Sequence, residues 1–236
     1  RKHLDIKEDC LVFDINLACS GFVAGLQTIG GLFQGRKEGS KALLFISDTT
    51  SESVNGQDPA TKILFGDAAA AVAVEKRKES PFLFRQKSDG KGYRDLIRVS
   101  GKEDFIMNGM DVFQFSIGDV VETIKEFLSG CEEENIHPDM FFIHQAQKFI
   151  VDKVIAFSGI DKDRAPITYD RYGNTGCASV PLTICESRDE LNTTDVEKIF
   201  ICGFGAGHSW GCGILEVSQD IYLEIIHSNK IYLDGK

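Results

Sequence analysis

The stretch INLACSGFVAGLQTIG, residues 15–30, places a cysteine where a strand-like run ends and a helix-like run begins. Residues 11–16 are mostly apolar and predict a buried strand, and residues 22–33 have the apolar spacing of a helix. Cys19 lies between them, followed by the small residues Ser20 and Gly21. The free N–H groups and dipole of a helix N-terminus stabilise a thiolate, so this position favours a reactive thiol. The alternative is a cysteine that only packs as a small hydrophobic side chain.

The overall composition is that of a globular protein. The chain has 236 residues, of which 42% are hydrophobic, enough for one large domain or two small ones. Its net charge of -10 argues against nucleic acid as a partner. We find no apolar run long enough to span a bilayer and no signal peptide, so we expect no membrane contact and a cytoplasmic protein.

The distribution of the cysteines also favours the cytoplasm. Seven of them are spread singly along the chain, and no two form a C-x-x-C pair. That pattern is typical of a reducing environment rather than of a disulfide framework. The five histidines are dispersed as well, so we expect no metal site.

Strand-like and helix-like segments alternate along the chain, which indicates an α/β fold. Further strands are predicted at 41–47, 140–144, 198–202 and 211–217, and a strand of small residues after the Gly-Asp break within 63–75. Further helices are predicted at 112–128, 148–157 and 178–188. Gly-rich and polar composition predicts loops at 48–61 and 87–96, whereas 218–236 alternate enough for a strand or hairpin.

Two parts of the chain repeat one order of elements. ALLFISD with ILFGDAAAAVAVE, and KIFICGFGAGHSWGCGILEV, both run from a strand through a Gly-rich break to a strand. This indicates a duplicated α/β unit, with the charged stretch EKRKES near the boundary. We therefore divide the chain into residues 1–78, residues 79–217 and a C-terminal extension of residues 218–236.

Three polar side chains stand at strand ends or helix starts: Cys19, His144 in FFIHQAQ, and Asn174 in YGNTGCASVP. Active-site groups of α/β folds collect at the carboxyl ends of strands, so these three would converge there. Taken singly, a histidine ending an apolar strand is more often a core residue, and Gly-Asn-Thr is an ordinary helix-capping turn. The Gly-rich turn FGAGHSWG is either a tight hairpin or a set of N–H groups aimed at an anion.

Six motifs occur in one order: DINLACSGF, LFGDAAAAV, SDGKGYRDL, FFIHQAQ, YGNTGCASVPL and GFGAGHSWG. Over residues 14–217 they resemble β-ketoacyl-acyl-carrier-protein synthase III, a thiolase-fold condensing enzyme of fatty acid synthesis. The resemblance implies a layered α/β/α/β/α fold with two pseudo-symmetric halves. Relatives carry a further strand–helix stretch before the nucleophile, whereas eighteen residues precede Cys19 here, so we expect the first half to be incomplete.

The resemblance also implies roles for single residues. Cys19 would accept the acyl group, and His144 and Asn174 would serve the decarboxylation of a malonyl thioester. The backbone N–H groups of Cys19 and Ala206 would form an oxyanion hole, with Ala206 standing where relatives often carry glycine. Asp67, in the FGD motif, would be structural rather than catalytic.

The resemblance also implies which residues contact the substrate and the acyl carrier protein. Gly109, Ala146 and Phe204 would line a tunnel for the pantetheine arm of the substrate. Relatives often dock the acidic acyl carrier protein with an arginine after the histidine; here Lys148 and Lys153 are the candidates. The resemblance further implies a homodimer that acts on acyl-coenzyme A or acyl-carrier-protein thioesters without a cofactor.

One feature of the sequence keeps another function open. The loop NGQDPATK, residues 55–62, lacks the arginine that relatives using acyl-coenzyme A often place there. An acyltransferase of specialised metabolism that does not decarboxylate therefore stays an alternative. A non-catalytic partner subunit is a further alternative, although such subunits typically lose the nucleophile, and Cys19 is present here. A thiolase is disfavoured, because the nearest candidate for its second cysteine, Cys202, is one residue out of place and so on the other face of the strand. A hydroxymethylglutaryl-coenzyme A synthase is disfavoured as well; its glutamate base would have to come from the missing N-terminal stretch or from Glu52.

Overall fold

A computed structural model of the chain describes residues 6–52, 54, 59–78, 82–98, 105–192, 196–218 and 220–228. Within these residues no helix is long and apolar enough to cross a membrane. The prediction of a strand or hairpin at 218–236 falls partly outside them; residues 218 and 220–228 form no strand, and residues 219 and 229–236 are not described.

The helix after the cysteine forms as predicted, but the strand before it does not. Helix α1 runs Gly21–Phe33 and buries Phe22, Val23 and Leu26. Residues 11–16 are exposed and adopt no regular structure, with Leu11 67% and Phe13 51% exposed. A strand is stable only beside a hydrogen-bonded neighbour, and no strand of the described chain pairs with this segment. The prediction of a buried strand there is therefore wrong.

Two antiparallel strands form the first sheet. Strand β1, Lys41–Asp48, pairs along its whole length with β2, Ala68–Glu75. Alternate residues point to opposite faces, so Leu44 and Ile46 pack inward while Leu43 and Phe45 are more than half exposed. Strand β1 is therefore half-exposed rather than buried as the sequence predicts.

A mixed sheet of four strands forms the centre of the molecule: β3, Leu83–Ser88; β6, Met140–Ile143; β7, Lys198–Gly205; and β8, Ser209–Glu216. They lie side by side in the order β3-β8-β7-β6. Strand β6 runs parallel to β7, and the other pairs are antiparallel. A small separate pair consists of β4, Leu96–Arg98, and β5, Phe105–Met107. The loop predicted at 87–96 thus begins inside β3, whose sequence LFRQKS lacks a clear apolar alternation.

The helices agree closely with the prediction. The helix predicted at 112–128 is one helical run in three parts: α3, Gly109–Phe115; a π-helical turn, Ser116–Val120; and α4, Val121–Glu133. Helix α5 is Lys148–Ser158, α7 is Ser179–Glu186 and α8 is Arg188–Leu191. Two more four-residue helices are α2, Pro59–Lys62, which overlaps the end of the loop predicted at 48–61, and α6, Tyr169–Tyr172.

Two apolar cores, one on each face of the four-stranded sheet, give the molecule its layers. On one face α4 and α5 pack through residues such as Ile124 and Val154. On the other face α1 and α7 lie between this sheet and the β1–β2 pair, where Phe22 and Ile184 share one core. The described residues therefore build four successive layers, α/β/α/β. Helix α1 comes from residues 1–78 and packs on strands from residues 79–217, so the two predicted halves share this core.

Candidate active site

Cys19 lies in a tight 3₁₀ turn, Ala18–Ser20, immediately before α1. Its neighbour Ala18 has φ of 45°, in the left-handed region that non-glycine residues seldom occupy. Strand β7 passes close behind the turn: a Cβ atom at Gly205 would lie 2.8 Å from Cys19 Cβ and 3.1 Å from its Sγ. A Cβ at Gly203 would lie 3.0 Å from the Cys19 carbonyl oxygen. Glycine at these two positions lets the strand approach the thiol.

A pair of serines joins this turn to the turn after β7. The hydroxyls of Ser20 and Ser209 are 2.8 Å apart and buried. The Ser20 hydroxyl is also 2.9 Å from the Leu17 carbonyl, and that of Ser209 is 3.0 Å from the Ala206 carbonyl. These contacts fix the backbone of Cys19 relative to that of Ala206, the two positions predicted to form the oxyanion hole. Sequence reasoning missed them because 189 residues separate the serines.

His144 directly follows β6 and is 2% exposed. Its backbone N–H donates to the Cys202 carbonyl at 2.8 Å, and its Nδ1 lies 2.7 Å from the hydroxyl of Ser179. The ring of Phe204 contacts the imidazole edge-on, with 5.2 Å between the ring centres. Burial lowers the pKa of His144 to about 4, although hydrogen bonding to the Gly176 backbone acts in the opposite direction. The imidazole is therefore neutral at physiological pH.

Asn174 is held by its backbone and its side chain. Its N–H donates to the Leu64 carbonyl at 2.7 Å, and its carbonyl accepts from the Gly66 N–H at 2.9 Å. The side-chain oxygen accepts from the Gly176 N–H at 2.9 Å. Because the oxygen is thus engaged, the amide presents its Nδ2 protons to any further acceptor.

Residues 174–179 connect the three predicted residues. The Gly176 backbone contacts both the imidazole of His144 and the amide of Asn174. Cys177, the next residue, lies close enough to Cys19 to affect its ionisation, and its Cβ is 3.7 Å from the place of a Cβ at Gly21. The thiol, the imidazole and the amide therefore all lie beside one short segment of chain, and their catalytic roles stay predictions.

The ionisation of Cys19 differs from the prediction. Burial raises its pKa to about 12, and the negative charge of Asp48 and the Cys177 thiol add to the effect; only hydrogen bonding to its own backbone lowers it. The expectation that the helix start makes this thiol acidic is therefore wrong, because loss of hydration and a nearby carboxylate outweigh the helix N-terminus.

The raised pKa of Cys19 predicts slow alkylation. At pH 8 iodoacetamide should modify Cys19 roughly 100-fold more slowly than the exposed Cys10, because so little thiolate is present. The Cys19 rate should then keep rising about tenfold per pH unit up to pH 10. Timed labelling followed by peptide mass spectrometry measures both rates, and equal labelling of the two cysteines at pH 7 would contradict the prediction.

The close approach of β7 gives a second prediction. In Gly205→Ala the new methyl group would collide with Cys19, so we expect at least a tenfold loss of Cys19 acylation and a destabilisation of about 1–3 kcal/mol. Gly130→Ala in α4, where a Cβ meets no atom within 4 Å, is the matched control and should be neutral or slightly stabilising. Wild-type acylation by Gly205→Ala would show that this contact does not restrict the thiol.

The residues predicted to contact the pantetheine arm or the acyl carrier protein do not form one cluster. Gly109 begins α3 and is exposed, with no atom within 4 Å of the place of its Cβ, whereas Ala146 is half-buried and donates its N–H to the His144 carbonyl. Phe204 is 2% exposed and belongs to the core beneath the imidazole. Lys148 and Lys153 lie on α5, outside this cluster. A passage lined by Gly109, Ala146 and Phe204 stays a prediction.

Two surface depressions lie elsewhere in the described chain. One, of about 550 Å³, is formed by the π-helical turn and α4, and the other, of about 240 Å³, lies where α4 ends, beside Phe141 and Arg164. Neither is lined by Cys19, His144 or Asn174. Among the described side chains no three His, Cys, Asp or Glu groups are arranged to hold a metal ion.

The structure bears on the roles considered above for Asp67 and Cys202. Asp67 accepts from the Ser51 N–H at 3.0 Å and from its hydroxyl, so it holds a loop, as expected. Cys202 is buried in the opposite face of β7, with its sulfur 3.8 Å from that of Cys212, and so does not face Cys19 as a second thiolase cysteine would. The structure does not describe the side chain of Glu52, nor residues 55–58 of the loop that lacks the arginine.

Comparisons with known proteins agree with this geometry. Residues 13–90 match the family model for 3-oxoacyl-[acyl-carrier-protein (ACP)] synthase III, and residues 129–217 match the model for its C-terminal part. The chain is 35% identical over 225 residues to β-ketoacyl-[acyl-carrier-protein] synthase III of Clostridium perfringens strain 13, covering 87% of this chain and 68% of that protein. It is 31% identical to the enzyme of that name from Coxiella burnetii, covering 92% and 70%.

A solved structure supports the fold. The 3-oxoacyl-(acyl-carrier protein) synthase of Burkholderia xenovorans LB400 superimposes with a TM-score of 0.85 at 31% identity, over 92% of this chain and 67% of that one. The predicted thiolase-like α/β fold is thereby confirmed. From the two family models, the relatives and the superposition, we conclude that this chain belongs to the 3-oxoacyl-[acyl-carrier-protein] synthase III family.

Proposed function

We propose that this protein is a β-ketoacyl-[acyl-carrier-protein] synthase III-type acyltransferase of fatty acid or related acyl-chain biosynthesis. It takes an acyl group from a thioester onto Cys19 and then condenses it with a malonyl thioester as carbon dioxide is lost. The observation that carries the proposal is the convergence of a thiol, a neutral imidazole and an oriented amide on residues 174–179.

Acyl loading exchanges one thioester for another. The Cys19 sulfur attacks the acyl carbon, and the tetrahedral oxyanion is held by the backbone N–H groups of Cys19 and Ala206. The carrier sulfur then leaves and takes the proton that Cys19 has lost, so the exchange releases no net proton. The raised pKa of Cys19 fits this coupling, because the free thiol holds its proton until a substrate is bound.

Condensation then requires stabilisation of an enolate. When a malonyl thioester loses carbon dioxide, the electron pair of the broken C–C bond places negative charge on the thioester oxygen. The neutral imidazole of His144 and the Nδ2 group of Asn174 are donors for that oxygen, whereas a carboxylate would repel it. The enolate carbon attacks the acyl carbon on Cys19, and the released thiolate is reprotonated.

For the acyl carrier protein we propose a docking surface on α5. Lys148 forms an ion pair with Asp152 at 2.8 Å, which offsets much of its charge. Lys153 instead lies over the rings of Phe149 and Phe157, at 5.7 and 5.5 Å. Lys153 is therefore the stronger candidate of the two for an acidic partner.

The docking proposal predicts a change confined to the carrier-borne substrate. Lys153→Glu should raise KM for malonyl-carrier protein about tenfold by repelling the acidic carrier, and leave KM for malonyl-coenzyme A unchanged. Steady-state kinetics with both donors measures this, and Lys162→Glu on the following turn is the control. An equal rise in both KM values would point to the active site instead.

We propose further that the protein acts as a homodimer in the cytoplasm and uses no cofactor. The exposed Leu43 and Phe45 on the outer face of β1 support a partner on that face, and light scattering measures the assembly state. None of the seven cysteines, all within the described residues, forms a disulfide, which suits a reducing compartment.

One experiment tests the reaction itself. The protein is incubated with a panel of acyl-coenzyme A and acyl-carrier donors together with malonyl-carrier protein, and carbon dioxide and β-ketoacyl product are measured. Equal amounts of the two are expected. Acyl transfer to an amine or alcohol with the malonyl group intact would favour the non-decarboxylating acyltransferase, and no adduct on Cys19 with any donor would favour a non-catalytic subunit.

A further inference from the structure

A buried hydroxyl at the start of α7 contacts the imidazole. Ser179 is 1% exposed, and its Oγ lies 2.7 Å from Nδ1 of His144. The same oxygen accepts the backbone N–H of Gln145 at 3.3 Å. Ser179 is thus held between two consecutive residues at the end of β6, in a position that the motif pattern did not single out.

The direction of this hydrogen bond decides where the imidazole carries its proton. The Gln145 N–H can only donate, so it uses a lone pair of the Ser179 oxygen and leaves the hydroxyl proton free. In the described chain the hydroxyl contacts no acceptor other than Nδ1 of His144. If Nδ1 carried the ring proton, the hydroxyl proton would be buried without a partner, which is costly. Donation from Ser179 to Nδ1 gives a partner to the hydroxyl proton, to Nδ1 and to the Gln145 N–H.

We propose that Ser179 is a positioning residue that donates to Nδ1 of His144 and so keeps the proton of the neutral ring on Nε2. With Nδ1 occupied, Nε2–H is the donor that the imidazole can offer to an enolate oxygen. The inference deepens the proposed function and rests on it for its catalytic consequence. Ser179 itself does not touch the substrate; it acts through His144.

Measuring malonyl decarboxylation and acyl loading separately distinguishes this role of Ser179 from a general effect on the fold. Ser179→Ala should lower malonyl-thioester decarboxylation about 10- to 100-fold, because part of the imidazole population moves its proton to Nδ1. Acyl loading of Cys19 should stay within about twofold, since it uses backbone donors. Ser187→Ala removes another buried hydroxyl from the C-terminal end of the same helix and is the matched control. Equal losses in both half-reactions, or equal effects of the two variants, would overturn the proposal.

The tautomer can be observed without any reaction. In ¹⁵N-histidine-labelled protein, two-dimensional NMR distinguishes the protonated from the unprotonated ring nitrogen, and His144→Gln assigns the signal. We expect His144 to carry its proton on Nε2 in the unmodified protein and to lose that preference in Ser179→Ala. A proton on Nδ1 in the unmodified protein would refute the inference. If the protein loads no acyl group and releases no carbon dioxide, the proposed function fails, while this spectrum still decides the role of Ser179.

Discussion

Cys19→Ala is expected to abolish the acyl adduct and to lower condensation at least about 10³-fold, because the reaction passes through a thioester on this sulfur. The fold should survive, since the change removes one atom from a half-buried side chain. Intact-protein mass spectrometry after incubation with an acyl thioester measures the adduct, and product formation measures the condensation.

The position of the adduct matters as much as its loss. Cys177 is close to Cys19, and burial also raises its pKa, to about 11, so peptide mapping must show which of the two sulfurs carries the acyl group. Cys185→Ala, a half-buried cysteine on α7, is the control and should load normally. An acyl group that persists in Cys19→Ala, mapped to Cys177, would reassign the nucleophile.

His144→Ala is expected to reduce malonyl decarboxylation by about 10²- to 10⁴-fold while Cys19 still accepts an acyl group. The reason is that the enolate loses a neutral donor, whereas acyl loading relies on backbone N–H groups. His137→Ala, which removes an exposed imidazole, should behave like the unmodified protein. Carbon dioxide release and acyl loading are measured separately, and loss of both would mean that His144 also serves Cys19.

The lowered pKa of His144 gives the same prediction a pH dependence. Because this pKa is about 4, the ring stays neutral throughout pH 6 to 8, and decarboxylation should be nearly constant there. Activity should fall only as the pH drops toward 4, where the folded ring gains a proton. Folding stability should decline earlier, between pH 6.5 and about 4, because in that range the unfolded histidine binds a proton that the folded one does not. A decline centred near pH 6.5 would show that the imidazole is hydrated in solution.

Local sequence pattern predicted the helices well and the strands less well. Helices α1 and α5 were predicted to within a residue because their apolar spacing reflects burial on one side of the chain. The predicted strand at 11–16 failed because a strand needs neighbours that the local sequence cannot specify. The π-helical turn Ser116–Val120 likewise has no signature in the apolar spacing that predicted one continuous helix.

Sequence alone named Cys19, His144 and Asn174 as candidates, because each stands in a motif of fixed order. Their chemical state was decided only by the tertiary structure. The burial that raises the pKa of Cys19 and lowers that of His144 arises from packing against distant strands and loops. The Ser20–Ser209 and His144–Ser179 contacts join residues 189 and 35 positions apart. Hydration, charge proximity and hydrogen-bond direction depend on which groups meet in space, and that is fixed only when the chain has folded.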